Sequence, residues 1–138
     1  MNEPYVPDGY SRLCPYLTVI DAARLIDFIV AVFGASVEGR HERPDGKIMH
    51  AALRIGDSHV EISDPSEQWG PTPSAIHIYV PDVDVVYRRA LEHGARSLMA
   101  PTDMDYGERG CAVRDAHGNN WYIATYLRDK ATAGTASS

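Results

Sequence analysis

The stretch Ser74-Ala-Ile-His-Ile-Tyr-Val-Pro-Asp-Val-Asp-Val-Val-Tyr-Arg-Arg-Ala-Leu-Glu-His-Gly94 decides the fold. Ala75 to Val80 alternates as a strand does, Asp82 stands where a helix wants its N-cap, the next turns are amphipathic, and Gly94 ends them. The same phrase occurs earlier, in Cys14-Pro-Tyr-Leu-Thr-Val-Ile-Asp-Ala-Ala-Arg-Leu-Ile-Asp-Phe-Ile-Val-Ala-Val-Phe-Gly34. Asp21 corresponds to Asp82, Gly34 to Gly94 and Ala52-Leu-Arg54 to Ala112-Val-Arg114, separations of 61, 60 and 60 residues. A spacing held over three separate elements marks a duplication. The chain reads as two copies of one unit.

In the first copy, residues 1 to 12 form a polar, proline-punctuated arm into a strand at Tyr16 to Ile20. Leu17 and Val19 share one face of that strand. The carboxylate of Asp21 is expected to accept from the amides of the first helical turn. Leu25, Ile26, Ile29, Val30 and Phe33 then form the apolar stripe, and Gly34 supplies the left-handed stop. A strand near Ser36 to His41 leads to the turn Arg43-Pro-Asp-Gly46. Lys47 to Ile55 and Ser58 to Ser63 flank Gly56-Asp57, which suits a two-residue hairpin loop with glycine first. That loop pairs 54 with 59, 52 with 61 and 50 with 63. Ala51, Leu53, Ile55, Val60 and Ile62 therefore lie under the helix, and His50, Ala52, Arg54, His59, Glu61 and Ser63 face the other way. A one-residue slip would bury four ionisable groups, so the register is well determined.

Asp64 to Ser74 links the copies. The second copy repeats the order, with a short strand near Ser97 to Ala100, a longer loop from Pro101 to Gly110 carrying Tyr106, and a final hairpin. In that hairpin Cys111 to Arg114 and Asn120 to Tyr126 flank the loop Asp115-Ala-His-Gly-Asn119, where His117 is expected to be exposed. Cys111, Val113, Trp121 and Ile123 face the helix, while Ala112, Arg114, Asn120 and Tyr122 face away. The tail 127–138 reads as mobile. The reading is thus one α+β domain over 1–138: unit one at about 13–63, linker 64–74 and unit two at about 75–126. Two tandem βαβββ units are expected to form a curved eight-stranded mixed sheet with helices on the convex side.

Composition narrows the function. The chain has 138 residues, a net charge of −6 and 44% hydrophobic residues, which suits a packed core and offers no basic footprint for nucleic acid. The most apolar segment, Ala22 to Ala35, is too short to span a bilayer and is interrupted by Arg24 and Asp27. The first residues do not read as a signal peptide, and Cys14 and Cys111 have no metal-type spacing. A reduced, cytoplasmic setting is expected.

Tandem βαβββ units with a glycine after each helix resemble the vicinal-oxygen-chelate superfamily, which includes glyoxalase I, the fosfomycin- and bleomycin-resistance proteins and extradiol dioxygenases. Tyr-Leu-Thr-Val-Ile-Asp-Ala-Ala (16–23), Arg-Pro-Asp-Gly-Lys-Ile-Met-His-Ala-Ala-Leu-Arg-Ile-Gly-Asp-Ser (43–58) and Val-Arg-Asp-Ala-His-Gly-Asn-Asn-Trp (113–121) are most similar to its PhnB-like branch. Metal-using members carry His or Glu on the first strand of each unit and Glu on the last. Those positions fall here on Cys14, Ala75, Glu61 and Tyr122, and only Glu61 is a usual ligand. The resemblance thus implies no metal and no other cofactor. A displaced divalent metal on His50, Glu61 and His77 stays open. It also implies a homodimer, with Trp69 or the neighbouring prolines near the seam.

Two functions follow. One is a small-molecule-binding protein that holds an organic ligand in an aromatic and polar concave pocket lined by Tyr16, His50, Arg54, Glu61, Trp69, His77, Tyr79, Tyr106 and Tyr122. The other is an enzyme, a lyase, isomerase or dioxygenase, that uses a displaced metal or Glu61 or His77 as general base. An open sheet face that meets another protein is a third use. Arg54 and Arg114 either clamp an anion or pair with Asp57 and Asp115. The segment Asp105-Tyr-Gly-Glu-Arg109 is either a lid or an ordinary loop.

Overall fold

A computed structural model describes residues 5–127; the tail reading at 128–138 lies outside them. The chain divides into two compact units, the first ending at Pro73 and the second beginning at Ser74. The linker therefore belongs with the first unit: Thr72 forms an isolated bridge to Thr18.

The first unit runs β1 (Tyr16–Thr18), α1 (Ala22–Phe33), β2 (Ser36–Glu42), β3 (Ile48–Ile55) and β4 (Ser58–Ser63). The second runs β5 (Ala75–Tyr79), α2 (Val83–Glu92), β6 (Arg96–Met104), β7 (Glu108–Arg114) and β8 (Asn120–Tyr126). Both are βαβββ, and the class is α+β. The sheet orders are β1-β4-β3-β2 and β5-β8-β7-β6, the same topology twice. In each, the first strand runs parallel to the last and the other pairs are antiparallel.

The glycine-first hairpin has the expected register, with Arg54 opposite His59 and Ala52 opposite Glu61. Gly56 takes φ 59°, which a side chain would resist. Ala51, Leu53, Val60 and Ile62 are buried beneath α1, as are Cys111, Val113, Trp121 and Ile123 beneath α2. Burial pushes the Cys111 thiol up to about 11, so it is an inert core group. The stripe of α1 is rotated from the expected one. Phe28 and Val32 are buried and Val30 is exposed, because the packed line runs through Leu25, Ile29 and Val32.

The two helix starts differ. Asp82 caps α2, its carboxylate accepting from the amides of Asp84 (3.1 Å) and Val85 (3.3 Å). Asp21 does not cap α1 with its side chain, for its backbone is left-handed at φ 64°. Asp64, at the end of β4, does so instead. Its Oδ1 accepts from the amides of Asp21 (3.0 Å) and Ala22 (3.1 Å), and its Oδ2 accepts from that of Ile48 (2.7 Å). The duplication carries this device over in altered form. Thr125 Oγ1 accepts from the amide of Val83 and donates to the carbonyl of Val80, both at 2.9 Å.

The expected loop from Pro101 to Gly110 is mostly strand. β6 and β7 extend to Met104 and Glu108, and the turn shrinks to Asp105-Tyr-Gly107, with Gly107 at φ 91°. Pro101 is accommodated because the β6–β7 ladder shifts register between Met99 and Thr102, leaving no amide to satisfy there. β2, at the edge of the first sheet, is likewise irregular, between Val37 and Gly39 and between His41 and Glu42.

On the helix side of β7, Arg109 makes a two-point contact with Asp84 of α2 (2.8 and 3.0 Å) and reaches Asp103 at 3.1 Å. The hydrogen bonds from Arg109 hold the Asp84 carboxyl below its ordinary value of 3.8. A depressed carboxyl contributes stability above its unfolded value and loses it as pH falls through the folded one. Arg109→Met is expected to move the acid-unfolding transition to higher pH. That shift should vanish when Asp84→Asn is already present, as read by circular dichroism across an acid titration.

Candidate functional site

The side chains that face away from α1 form the first candidate surface. Tyr16 pairs with Glu61 across the parallel β1–β4 ladder. His50 lies diagonally across the β3–β4 hairpin, and its Nε2 stands 2.8 Å from Glu61 Oε1, where the imidazole N–H donates to the carboxylate. The Tyr16 and His50 rings are 6.1 Å apart and tilted. These three residues, chosen from alternation alone, form one group.

Beside them is a cleft of ≈ 620 Å³ lined by Tyr16, Met49 and Trp69 together with Arg43 and the hydroxyl residues Thr18, Ser63, Ser66 and Thr72. Trp69 is exposed in the linker and reaches the site because Thr72 is tied back to β1. Arg43 donates to the carbonyl of Pro65 at 3.0 Å. Sequence reading missed Arg43 and Met49, which lie in and next to a turn and carry no periodic signal.

A second cleft of ≈ 580 Å³ lies under the arm, lined by Tyr5, Val6, Pro7, Tyr10, Arg12, Leu13, Cys14 and Glu61, among others. The face that alternation left open is thus partly covered. Tyr10 stacks on His59 with ring centroids 3.7 Å apart and planes at 14°. His59 is buried, and its Nε2 lies 3.5 Å from Glu38. No sequence pattern announces a contact between an irregular arm and a strand.

Arg54 is held elsewhere. It donates to the carbonyl of Gly56 at 3.0 Å and lies 3.6 Å from Glu38, so the expected pairing with Asp57 is replaced. Its counterpart Arg114 donates to Asn120 at 2.8 Å rather than pairing with Asp115. Asp115 is buried and instead organises the last hairpin, accepting from the amides of His117 and Asn119, from Asn119 Nδ2 and from Trp121 Nε1. His117 is drawn in with it. Its side chain is only 9% exposed, with Nδ1 3.9 Å from Asp115 Oδ1.

In the second unit His77 pairs with Tyr122 across the parallel β5–β8 ladder, and the His77 and Tyr79 rings are 4.8 Å apart. The unexpected member of this group is Glu108, 3.6 Å from His77 Nε2. The even-numbered alternation Arg114, Ala112, Gly110, Glu108 would have found it had the strand been extended through the glycine. Tyr106, at the tip of the β6–β7 turn, is exposed and makes no ring contact with the group. Of the segment 105–109, the first three residues are that turn and the last two belong to β7.

The positions that hold metal in metal-using relatives do not fit one here. Cys14 precedes β1 and its thiol contacts the Ser11 carbonyl at 3.5 Å. Ala75 has no donor, and the Tyr122 hydroxyl accepts from Asn120 at 3.4 Å. Among the described residues, no group of three or more His, Cys, Asp or Glu side chains is spaced to hold an ion. No helix among them is long and apolar enough to cross a membrane.

Comparison with known proteins agrees with the topology. Residues 12–123 match the family described as Glyoxalase/Bleomycin resistance protein/Dioxygenase superfamily. An uncharacterised protein of Mycobacterium bovis is 40% identical over 128 residues, covering 85% of this chain and 84% of that one. A protein of Mycobacterium tuberculosis strain H37Rv is also 40% identical, over 85% and 75%. Among solved structures, TioX from Micromonospora sp. ML1 matches with a TM-score of 0.71 and 29% identity, covering 85% of this chain and 99% of that chain. The PhnB protein of Bacillus cereus, described as a putative 3-demethylubiquinone-9 3-methyltransferase, shares the fold at a TM-score of 0.67 and 14% identity, over 83% and 99%. With the family match spanning both βαβββ units, the chain belongs to the glyoxalase/bleomycin resistance protein/dioxygenase superfamily.

Proposed function

We propose that this protein binds a small organic molecule without the usual metal. The observation that carries the reading is the first unit's sheet face, where the hydrogen-bonded pair His50–Glu61 lies beside Tyr16 and a cleft that shares Tyr16 with Met49 and Trp69. Apolar ring faces supply contact area, and a few fixed polar groups supply orientation, which is what a flat ligand with some polar substituents requires. His77, Tyr79 and Tyr122 are the corresponding candidates of the second unit. Arg54 and Tyr106 stand apart from both groups and contribute less.

A thermal-shift screen on wild type, Glu61→Gln and Tyr122→Ala tests this. Ligands that stabilise the wild type are expected to lose at least part of that effect in one variant. A ligand that stabilises all three equally would place the site elsewhere. The working form is proposed to be a cytoplasmic homodimer, with Trp69 near its seam. Light scattering at micromolar concentration should give twice the chain mass, and a single-chain mass would refute the pairing.

The His50–Glu61 contact also favours a second reading, an enzyme of the lyase or isomerase kind. A carboxylate that fixes the imidazole tautomer leaves the other ring nitrogen to take a proton, the usual arrangement of a histidine general base. About one metal per chain in protein purified without chelators would favour the enzyme reading with a displaced ion.

A further inference from the structure

We propose that the cleft of the first unit takes an aromatic carboxylate, with Arg43 as the residue that holds the carboxylate group. This rests on the ligand-binding reading above and adds the sign of the ligand's charge and the side chain that selects it.

Two ionised side chains line the cleft, Arg43 and Asp64. They differ in how far their partners satisfy them. Asp64 is buried, and its oxygens already accept from the amides of Asp21, Ala22 and Ile48. It has little left to offer an incoming cation. The Arg43 guanidinium makes one hydrogen bond, from Nη1 to the neutral carbonyl of Pro65 at 3.0 Å. Its Nε is buried and has no hydrogen-bond partner among the described residues. The ion-pair partner is Asp45, whose Oδ1 lies 3.6 Å from Nε, beyond a good hydrogen bond. That oxygen already accepts from the amide of Lys47 at 3.0 Å. Asp45 is also more than half exposed, so water screens much of the attraction. A quarter of the Arg43 side chain stays exposed, and its Nη2 makes no hydrogen bond among the described residues. The guanidinium therefore keeps donors for a ligand. A carboxylate suits them best, because its bonds to a guanidinium are charge-assisted and roughly twice as strong as neutral ones.

The surrounding backbone holds this cation in place. The Arg43 amide donates to the carbonyl of Lys47 at 2.8 Å, and the Arg43 carbonyl accepts from the amide of Gly46 at 2.9 Å. Tyr16, Met49 and Trp69, all exposed, supply the apolar part of the lining. Trp69 is fixed through Ser66, whose hydroxyl oxygen accepts from the Trp69 amide at 3.1 Å. The Ser66 hydroxyl also lines the cleft and keeps its proton for a ligand oxygen. Arg43 and Ser66 border a neighbouring depression as well, but Asp45 and Glu67 line it and repel an anion. A carboxylate thus enters from the side of Tyr16 and Trp69, where its ring finds aromatic surface.

Naphthylacetate, naphthylacetamide and naphthylethylamine share one ring and differ in charge, so they serve as probes. Titration calorimetry near neutral pH on the full chain should show naphthylacetate binding roughly 10–100-fold tighter than the other two. In Arg43→Gln that preference should disappear while the affinity for the amide is kept, whereas a merely structural arginine would lower both together. Trp69→Ala should weaken all three probes alike. A readout on wild type guards against a misfolded variant: naphthylacetate should move the Arg43 Nε–H and Trp69 indole N–H resonances. Equal binding of the three probes overturns the inference, as does a preference that survives Arg43→Gln. Unmoved Arg43 and Trp69 resonances, or a parallel loss of both affinities in a folded Arg43→Gln protein, overturn it too. If the amide still binds and loses affinity in Trp69→Ala, the ligand-binding reading stands without it. No binding by any of the three also overturns the inference, and the ligand screen then judges the broader reading separately.

Discussion

Replacing Asp64 by alanine is expected to lower the melting temperature by roughly 10–20 °C, a loss of about 4 kcal/mol. The carboxylate is 8% exposed and accepts from three backbone amides at once, two at the start of α1 and one at the start of β3. Alanine leaves all three donors without an acceptor in a place that water reaches poorly. Because Asp21 has no capping bond of its own to offer, no nearby side chain takes over. Asp64→Asn should fall between the two, since one oxygen can still serve the helix end while the amide group confronts the Ile48 donor. Thr125→Val, the equivalent change in the second unit, removes one accepted and one donated bond and should cost about 1–2 kcal/mol. Thermal denaturation of the three variants checks the order, and an Asp64→Ala protein within 1 °C of wild type would show that the contact does not hold the helix.

Asp115→Ala should be nearly as severe, at about 3–5 kcal/mol. Four hydrogen bonds converge on its carboxylate, three from the five-residue hairpin loop and one from Trp121 on β8, with 2.8 Å contacts from the His117 amide and from Trp121 Nε1. One of the donors, Asn119, has its own oxygen accepting from the amide of Ser74 at 3.0 Å, so the loop is tied to the residue that enters β5. Trp121→Phe removes a single donor and some volume and should cost about 1–3 kcal/mol. The two changes share a contact, so the double variant should be less destabilised than the sum of the singles. Urea denaturation gives all three values, and strict additivity would show that the indole bond contributes nothing.

What the sequence disclosed, and what it hid, divides by range. The 54–59 register was legible because a glycine-first turn and strict alternation both act locally. The duplication was legible because aspartate and glycine mark both ends of each helix. Asp64 reads as the start of a linker, since its partners Ala22 and Ile48 are far away in sequence and no periodicity reports them. Glu108 was lost for a different reason. Pro101 and Gly107 read as loop residues, whereas the chain places the proline at a ladder irregularity and uses the glycine for one three-residue turn. That Tyr16, His50 and Glu61 lie together was legible because they obey the two-residue period of strands. Tyr10, which stacks on His59 from an irregular arm, obeys none.

The irregular pairing along β2 and β6 bears on how the protein survives at high concentration. A straight outer strand offers its spare backbone groups to any neighbour, and chains then add to one another without limit. β2 interrupts such a row twice and carries Glu38, Arg40 and Glu42, while β6 interrupts it twice and includes a residue with no amide proton. Fibril growth through these two borders is thereby resisted, which leaves β1 and β5 as the outer strands with regular pairing.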